Sequence, residues 1–169
     1  QRRANQFFSL IRCFSTSNTI EGLSLAERAR SLFEQRKSGY LSTVSLTQEA
    51  QKEGVPLYGS LLPFSIGQEH VGEHLVSAGI PVFAINKHAS KHYNHLQQFS
   101  KASLVVWPLV PSTCNPSQMP LPRLNLTGEA TELTNNHSWV DAFVEIYPTA
   151  KPHIDALAFY KLNLDEVIY

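Results

Sequence analysis

Apolar residues recur at helical spacing in three parts of this chain. The first predicted helix begins after Ser24 with a capping box, and the second begins after Ser90. The third covers Trp139–Tyr147 and would be capped by Asn136 or Ser138. The second helix has three residues on its predicted inward side: Tyr93, Leu96 and Phe99. The spacing therefore predicts three helices separated by long intervals with other patterns.

The intervals between the helices contain alternating or largely apolar segments, which are typical of strands. The predicted strands are Tyr40–Leu46, Pro56–Ile66, Pro81–Ile85, Ala102–Val110, Arg123–Leu133, Ile154–Leu164 and Val167–Tyr169. The polar, glycine-broken segment Gly67–Gly79 is predicted to be a solvent-facing loop and strand edge, and Ser112–Pro122 an irregular loop. Most strand connections are short enough for antiparallel pairing. We therefore expect a mainly β, α+β fold: a small barrel with helices closing its ends.

Composition limits the classes of function. The chain has 169 residues, a formal net charge of zero and 43% hydrophobic residues, which suits one globular domain. Zero net charge provides no general attraction to nucleic acid, and no apolar run approaches the ~18 residues of a membrane span. We therefore expect neither a nucleic-acid partner nor a membrane span. The two cysteines, Cys13 and Cys114, do not indicate a disulfide framework.

The first 22 residues differ in composition from the rest of the chain. They contain Arg2, Arg3 and Arg12, several serines, and no acid before Glu21. Arginine-rich, acid-poor segments are typical of organellar transit peptides, and a disordered basic tail is the alternative. We therefore divide the chain into a targeting segment, residues 1–22, and one domain, residues 23–169. The expected location is mitochondrial, with the plastid as the alternative and secretion less favoured.

The most informative segment runs from Asn86 into the helix that follows Ser90. Ser90 is a suitable N-cap, and Lys91 and His92 lie in the first turn, where the backbone N–H groups carry the positive end of the helix dipole. A phosphate group is the natural ligand of such a terminus. Many helices begin with Ser-Lys and bind no anion, so the pattern alone leaves both interpretations open.

Two histidine patterns raise the question of a metal site. His92 and His95 are three residues apart and could share a helix face, but no carboxylate or thiol lies nearby to complete a site. His70 and His74 match the H-x-x-E-H pattern of one zinc-protease class. That chemistry requires a helix, which the surrounding glycines disfavour. The sequence therefore predicts no metal site.

Short motifs along the chain resemble the FMN-binding split-barrel superfamily, which includes the pyridoxamine 5′-phosphate oxidases. The matching segments are ARSL (29–32), GYLST (39–43), residues 90–104, LTGEA (126–130), YP (147–148) and FYKL (159–162). Within the superfamily the chain is most similar to the branch of haem-utilisation proteins and secreted CREG-type glycoproteins. The resemblance implies a six-stranded antiparallel split β-barrel flanked by helices, bound FMN, and a homodimer.

The resemblance also implies which residues would hold the flavin. In the oxidases a Ser-Arg-Lys triplet binds the flavin phosphate, and a Gln follows three residues later. Here those places hold Ser90, Lys91, His92 and His95, with Asn86 just before them. Charge is retained at Lys91 and, because histidine titrates near neutral pH, in part at His92. These five residues are the predicted cofactor ligands.

Two further phosphate ligands of the oxidases, an Arg and a Lys on the preceding strand, align with Gly59 and Phe64 and are therefore absent here. The loss of two charged contacts, each worth roughly 1.5–3 kcal/mol, weakens the flavin hypothesis. Three functions stay open. The chain could bind FMN and act as a flavin-dependent oxidoreductase, which family membership favours. It could instead be a non-catalytic, CREG-like dimeric barrel that serves as an interaction or assembly module. The third function is haem binding or breakdown through His92 or His95.

The segment Leu104–Trp107 supports a homodimer independently of the resemblance. Its four residues are apolar on both faces of the predicted strand, which is more than one side of a small barrel can bury. A partner subunit on the outer face would explain the pattern. The alternative is that the helix Trp139–Tyr147 covers that face within one chain.

Overall fold

The computed structural model describes residues 24–45, 57–71, 73–107 and 123–169. The elements are α1 (Leu25–Gln35), β1 (Ser38–Val44), β2 (Leu57–Val71), β3 (His74–Asn86), α2 (Lys91–Gln98), β4 (Lys101–Val106), β5 (Leu124–Leu133), α3 (Ser138–Ile146), a 3₁₀ helix (Pro148–Ala156) and β6 (Leu157–Ile168). Three predictions lie outside the described residues: the targeting segment 1–22, the loop Ser112–Pro122, and the state of both cysteines.

The six strands form a closed barrel in which every neighbouring pair is antiparallel. Their order around the barrel is β1-β2-β3-β6-β5-β4, and β4 closes the barrel by pairing with β1. A closed barrel leaves no strand edge of the ring unpaired. The structure confirms the predicted α+β fold with a six-stranded antiparallel barrel.

The barrel interior is filled by residues that alternate along each strand. In β1, Leu41 is fully buried, whereas the preceding Tyr40 is 40% exposed. α1 adds Phe33 to the same core, and the ring of Phe33 stacks on that of Phe64 with 5.4 Å between centroids. α1 begins with the predicted capping box at Ser24. The alternation therefore assigns each strand residue to the core or to the outer surface.

A second, smaller core lies on the outside of the barrel, where α3 packs against β2 and β3. Phe143 of α3 meets Phe159 edge to face, with 5.5 Å between ring centroids. The indole N–H of Trp139 donates a hydrogen bond to the carbonyl oxygen of Gln68 at 2.7 Å. α3 therefore covers the outer face of β2 and β3.

The N-cap of α3 differs from the sequence prediction. The cap is His137, whose Nδ1 accepts a hydrogen bond from the backbone N–H of Trp139 at 3.1 Å. The prediction of Asn136 or Ser138 was wrong because a neutral imidazole nitrogen can accept the same bond as an amide or hydroxyl oxygen.

The segment Gly67–Gly79 was predicted to be a solvent-facing loop and strand edge, but β2 continues to Val71, β3 begins at His74, and the two strands pair there as a β-hairpin. The register shifts between Ile66 and Gln68, which marks a bulge. Gly67 lies in this bulge beneath Trp139, where a Cβ atom would approach the indole to 2.9 Å. Gly67, which suggested a loop, therefore makes room for the indole ring of Trp139 on α3.

The hairpin also explains the H-x-x-E-H pattern. His70 lies on β2 and His74 begins β3, so the two residues are on different strands and share no helix face. Within the described ranges, no helix is long and apolar enough to span a membrane.

Replacing Gly128 with alanine should destabilise the barrel. Gly128 lies at a bulge in β5, and a Cβ atom there would overlap the backbone carbonyl of Asn163 on β6. Because backbone cannot move aside cheaply, we expect Gly128→Ala to lower the free energy of unfolding by about 1–3 kcal/mol in urea denaturation.

Gly59→Ala is the matched control, since its Cβ would meet only the exposed ring of Tyr40, which can rotate. We expect a loss below about 1 kcal/mol. Equal losses in both variants would contradict the role assigned to the bulge.

Candidate functional site

The chain between β3 and α2 is held by side chains as well as backbone. Oδ1 of Asn86 accepts hydrogen bonds from the backbone N–H groups of His88 (2.8 Å) and Ala89 (2.9 Å). Ser90 is the N-cap of α2, and its hydroxyl accepts from the backbone N–H of His92 at 3.2 Å. Both predicted ligands therefore have local structural roles that fix the start of α2.

α2 packs against β1 and β2, and the imidazole of His92 lies between the helix and these two strands. His92 is only 2% exposed. Its Nδ1 lies 2.8 Å from Oγ1 of Thr43 on β1, and its Nε2 lies 2.8 Å from Oγ of Ser60 on β2. Both ring nitrogens are thus satisfied inside the protein, as buried polar groups require.

The second imidazole of α2 shares the same hydroxyl group. Nδ1 of His95 lies 3.0 Å from Oγ1 of Thr43, so Thr43 bridges the two rings. We call Ser60, His92, Thr43 and His95 the hydroxyl–imidazole chain. His95 is half-buried, and no described residue forms a hydrogen bond with its Nε2. Among the described residues, the hydroxyl–imidazole chain therefore ends at Nε2 of His95.

The number of available protons restricts the protonation states of the hydroxyl–imidazole chain. Thr43 has one hydroxyl proton and makes two hydrogen bonds to ring nitrogens. It can donate to only one of them, so at least one ring must donate its Nδ1–H to Thr43. The tautomers of His92 and His95 are therefore coupled through Thr43.

Both imidazoles are neutral at pH 7. Burial, followed by the neighbouring charge of His95, lowers the pKa of His92 from 6.5 to about 4. Burial and the nearby Lys91 ammonium lower the pKa of His95. The expectation that His92 retains partial charge near neutral pH was wrong, because the ring is enclosed between α2 and the barrel.

Lys91 is the exposed cation at the start of α2. Its ammonium group lies 5.7 Å from the centroid of the Tyr58 ring, within the range of a cation–π contact. The same tyrosine ring lies 4.6 Å from the ring of His92 and 6.0 Å from that of His95, measured between centroids. Tyr58 therefore joins the cation to the hydroxyl–imidazole chain.

The five predicted cofactor ligands divide into two groups. Lys91 and His95 are four residues apart on α2 and lie on the same side of the helix. His92 points into the protein, while Asn86 and Ser90 hold the turn and the cap. The structure thus brings one cation and one imidazole together on the accessible side.

Sequence reasoning missed three residues of this cluster: Thr43, Tyr58 and Ser60. A signal existed at Thr43, which falls in the inward register of β1 with Gly39 and Leu41 and therefore requires a buried partner. No comparable signal identified the partner, because the histidine lies 49 residues further along the chain.

The two strand positions aligned with phosphate-binding cations do not border one site. Gly59 lies beneath the ring of Tyr40 on the outer face, whereas Phe64 is 1% exposed and stacks on Phe33 in the core. Residues five apart on a regular strand point to opposite faces. The two positions therefore lie in separate places on this barrel, one on the outer face and one in the core.

Metal ligands do not converge in the part of the chain that the structure describes. Among those residues, no group of three or more histidine, cysteine, aspartate and glutamate side chains could hold a metal ion.

A family model described as "CREG, beta-barrel" matches residues 22–169. No curated protein matches the sequence at a significant level.

Solved structures show the same fold in proteins of low identity. A heme-binding protein from Mycobacterium smegmatis has 21% identity and a TM-score of 0.64, over 88% of this chain and 54% of that one. The heme storage protein HutZ from Vibrio cholerae has 15% identity and a TM-score of 0.56, over 85% and 92%. An FAD-binding protein from Mesorhizobium loti has 12% identity and a TM-score of 0.54, over 86% and 90%. The chain thus spans about half the length of the Mycobacterium protein, and these likenesses show the fold alone.

The buried imidazole should make stability depend on pH. Unfolded histidine titrates near 6.5, whereas His92 in the folded protein titrates near 4, so the unfolded chain binds more protons between these values. The contribution of His92 is complete above pH 6.5 and is lost as the pH falls toward 4. We expect a loss of roughly 1–3 kcal/mol from this group.

Urea denaturation of the wild type and His92→Gln at pH 7 and pH 5 measures this contribution. Gln can form hydrogen bonds with both hydroxyls but does not titrate. The difference in unfolding free energy between the wild type and His92→Gln should therefore shrink at the lower pH. An advantage that stays constant between the two pH values would contradict the assignment.

Proposed function

Because this chain belongs to the CREG β-barrel family, we propose that it is a homodimeric binding protein that holds a planar, anionic ligand against α2. The observation that carries this proposal is the accessible group formed by Lys91, Tyr58 and His95. It combines a cation, an aromatic ring and an imidazole whose Nε2 forms no hydrogen bond with any described residue. Such a group suits a ligand that has both a flat conjugated ring and an acidic substituent.

The names of the structural neighbours agree with this ligand class. Two of those names contain heme and one contains FAD, and both are flat conjugated molecules with acidic groups. Neighbours of such low identity establish no ligand for this chain, so the proposal rests on the contacts around α2. Their names indicate only that the fold can accommodate ligands of this kind.

FMN is one member of the proposed class. Lys91 and the backbone N–H groups in the first turn of α2 could hold its phosphate. The other predicted contacts are weak, since His92 is neutral and internal and the Asn86 oxygen is engaged in the turn. A charged hydrogen bond contributes roughly 1.5–3 kcal/mol, so one such contact supports only weak retention. We therefore propose a binding function in place of a flavin-dependent oxidoreductase with tightly held FMN.

Charge reversal at Lys91 tests the anion contact. We expect the wild type to quench the fluorescence of added FMN weakly and Lys91→Glu to lose this effect, because the substitution removes the exposed cation beside Tyr58. Lys87→Glu is the matched control. Lys87 is also a lysine close to the start of α2, but its ammonium group donates a hydrogen bond to the carbonyl oxygen of Asp155. Equal FMN binding by the wild type and both variants would rule out a phosphate contact at Lys91.

The outer surface of the barrel supports the proposed homodimer. Five directly opposed residues cross β2, β1, β4, β5 and β6, and we call them the outer band: Leu61, Tyr40, Val105, Asn125 and Ile168. Leu61 is 62% exposed, and Trp107 extends the surface with its ring centroid 6.5 Å from that of Tyr40. Four of the five residues are aliphatic or aromatic, and exposed apolar surface of this kind is typical of protein interfaces.

α3 does not cover the outer band. It packs on the outer face of β2 and β3, away from β4, so the alternative of cover by α3 within one chain does not apply. The hydrogen bond from Ser103 to Oδ1 of Asn125 (2.6 Å) satisfies the side-chain oxygen in the middle of the band. We propose that a second copy of the chain covers this surface.

Light scattering at micromolar concentration tests this assembly. We expect the wild type to be a dimer and Leu61→Glu to shift it toward monomer, because the substitution places a charge in the outer band. Val76→Glu is the matched control on the β2–β3 hairpin, where Val76 is 39% exposed. A monomeric wild type, or equal effects of both substitutions, would contradict the proposed interface.

A further inference from the structure

The protons of the hydroxyl–imidazole chain can be arranged in two ways. Thr43 is fully buried, and the two imidazoles are its only side-chain hydrogen-bond partners among the described residues. Leaving the proton of a buried hydroxyl group without an acceptor is costly, so Thr43 donates to one ring and accepts from the other. The ring that accepts has an unprotonated Nδ1 and, because it is neutral, a protonated Nε2. His92 and His95 are therefore in opposite tautomers.

Ser60 distinguishes the two arrangements. Its hydroxyl group lies 2.8 Å from Nε2 of His92 and forms no other hydrogen bond with a described residue. In the first arrangement Ser60 donates to an unprotonated Nε2, which uses its single proton. In the second, Nε2–H of His92 donates to Ser60, and the proton of this half-buried hydroxyl group then has no acceptor among the described residues. The first arrangement is therefore favoured.

With Ser60 as the donor, each following hydrogen bond of the chain has a fixed direction. Nδ1–H of His92 donates to Thr43, and the Thr43 hydroxyl donates to Nδ1 of His95. His95 therefore carries its proton on Nε2, the ring nitrogen that forms no hydrogen bond with a described residue. On the accessible side of α2, the imidazole thus presents an N–H donor and not a nitrogen lone pair.

Lys91 supplies a second donor near this N–H group. The two side chains are one helical turn apart, and the charge of Lys91 contributes to the lowered pKa of His95. The ammonium group lies over the ring of Tyr58 and forms no ion pair or hydrogen bond with a described residue. Two neighbouring donors, one of them charged, form their strongest hydrogen bonds with a negatively charged oxygen.

We propose that the hydroxyl–imidazole chain fixes His95 as a hydrogen-bond donor, and that its Nε2–H and the Lys91 ammonium group together hold an oxyanion of the ligand, a carboxylate or a phosphate. This inference rests on the proposed binding function and names the residue that selects the acidic group. Ser60 and Thr43 are positioning residues, because they act on the ligand only through His95. The same tautomer disfavours a metal ion at Nε2, since a metal binds the lone pair that the proton occupies.

Nitrogen-15 NMR of the ligand-free full chain at pH 7 tests the tautomers directly. We expect His95 to be protonated at Nε2 and His92 at Nδ1. Thr43→Val removes the bridging hydroxyl and should make the His95 ring a mixture of tautomers, whereas Thr43→Ser should retain the wild-type pattern. Circular dichroism shows whether each variant is folded. Protonation of wild-type His95 at Nδ1, or an unchanged His95 tautomer in folded Thr43→Val, would overturn the proposal.

Two pairs of fluorescent ligands test the oxyanion contact. FMN and riboflavin differ by the phosphate, and 2-naphthoate and 2-naphthamide differ by the charged carboxylate. We expect the wild type to prefer the anion of at least one pair, which identifies the acidic group. His95→Phe keeps a ring but lacks the donor, so it should bind that anion about tenfold or more weakly and bind the neutral member unchanged. His88→Phe is the matched control, because His88 is exposed and precedes α2.

The variants separate this inference from the proposed function. If folded His95→Phe binds the anion as tightly as the wild type, while Lys91→Glu does not, the donor role of His95 is wrong and the proposed binding function stands. If the wild type binds none of the four compounds, or binds both members of each pair equally well, the oxyanion contact and the proposed binding function are both wrong.

Discussion

The buried contact of His92 with Thr43 and Ser60 is the interaction on which the arrangement of the site depends. It joins α2 to two neighbouring strands through both nitrogens of a single ring. A buried polar group without its partner costs roughly 1–3 kcal/mol, so the ring strongly favours this one placement. Once His92 is fixed, the helical repeat places Lys91 and His95 on the accessible side. The inward residue is thus structural, and its neighbours Lys91 and His95 form part of the proposed ligand site.

The register of β1 against β2 links this site to the outer surface. Thr43 and Ser60 face α2 from inside the barrel, while Tyr40 and Leu61 stand on the outer face of the same strands. A shift of one residue in either strand would exchange these sets, removing the partners of His92 and burying the outer band. Closure of the barrel by β4 prevents such a shift. One register therefore specifies both the proposed ligand site and the proposed dimer surface.

Periodicity in the sequence predicted the helices, most strands and the antiparallel barrel, because these follow from local alternation and capping. The capping box at Ser24 is an example. The hairpin beyond Gly67 was missed because its glycine accommodates Trp139 from a distant helix. On α2, Leu96 and Tyr93 pack against the core as predicted, whereas Phe99 is exposed and the buried His92 was missed, since an eight-residue helix provides too few turns to fix its phase and histidine was counted as polar. The partners of His92 depend on tertiary contacts that no local pattern contains.

The central claim is that α2 carries two neutral imidazoles with different roles, one enclosed and one facing a ligand. Nitrogen-15 NMR of the histidine rings as a function of pH tests this claim most directly. We expect the resonances of His92 to show a neutral ring that titrates near pH 4, with Nδ1 or Nε2 protonated but never both at neutral pH. A His92 ring that titrates near 6.5, as free histidine does, would show that it is not enclosed between α2 and the barrel and would contradict the account.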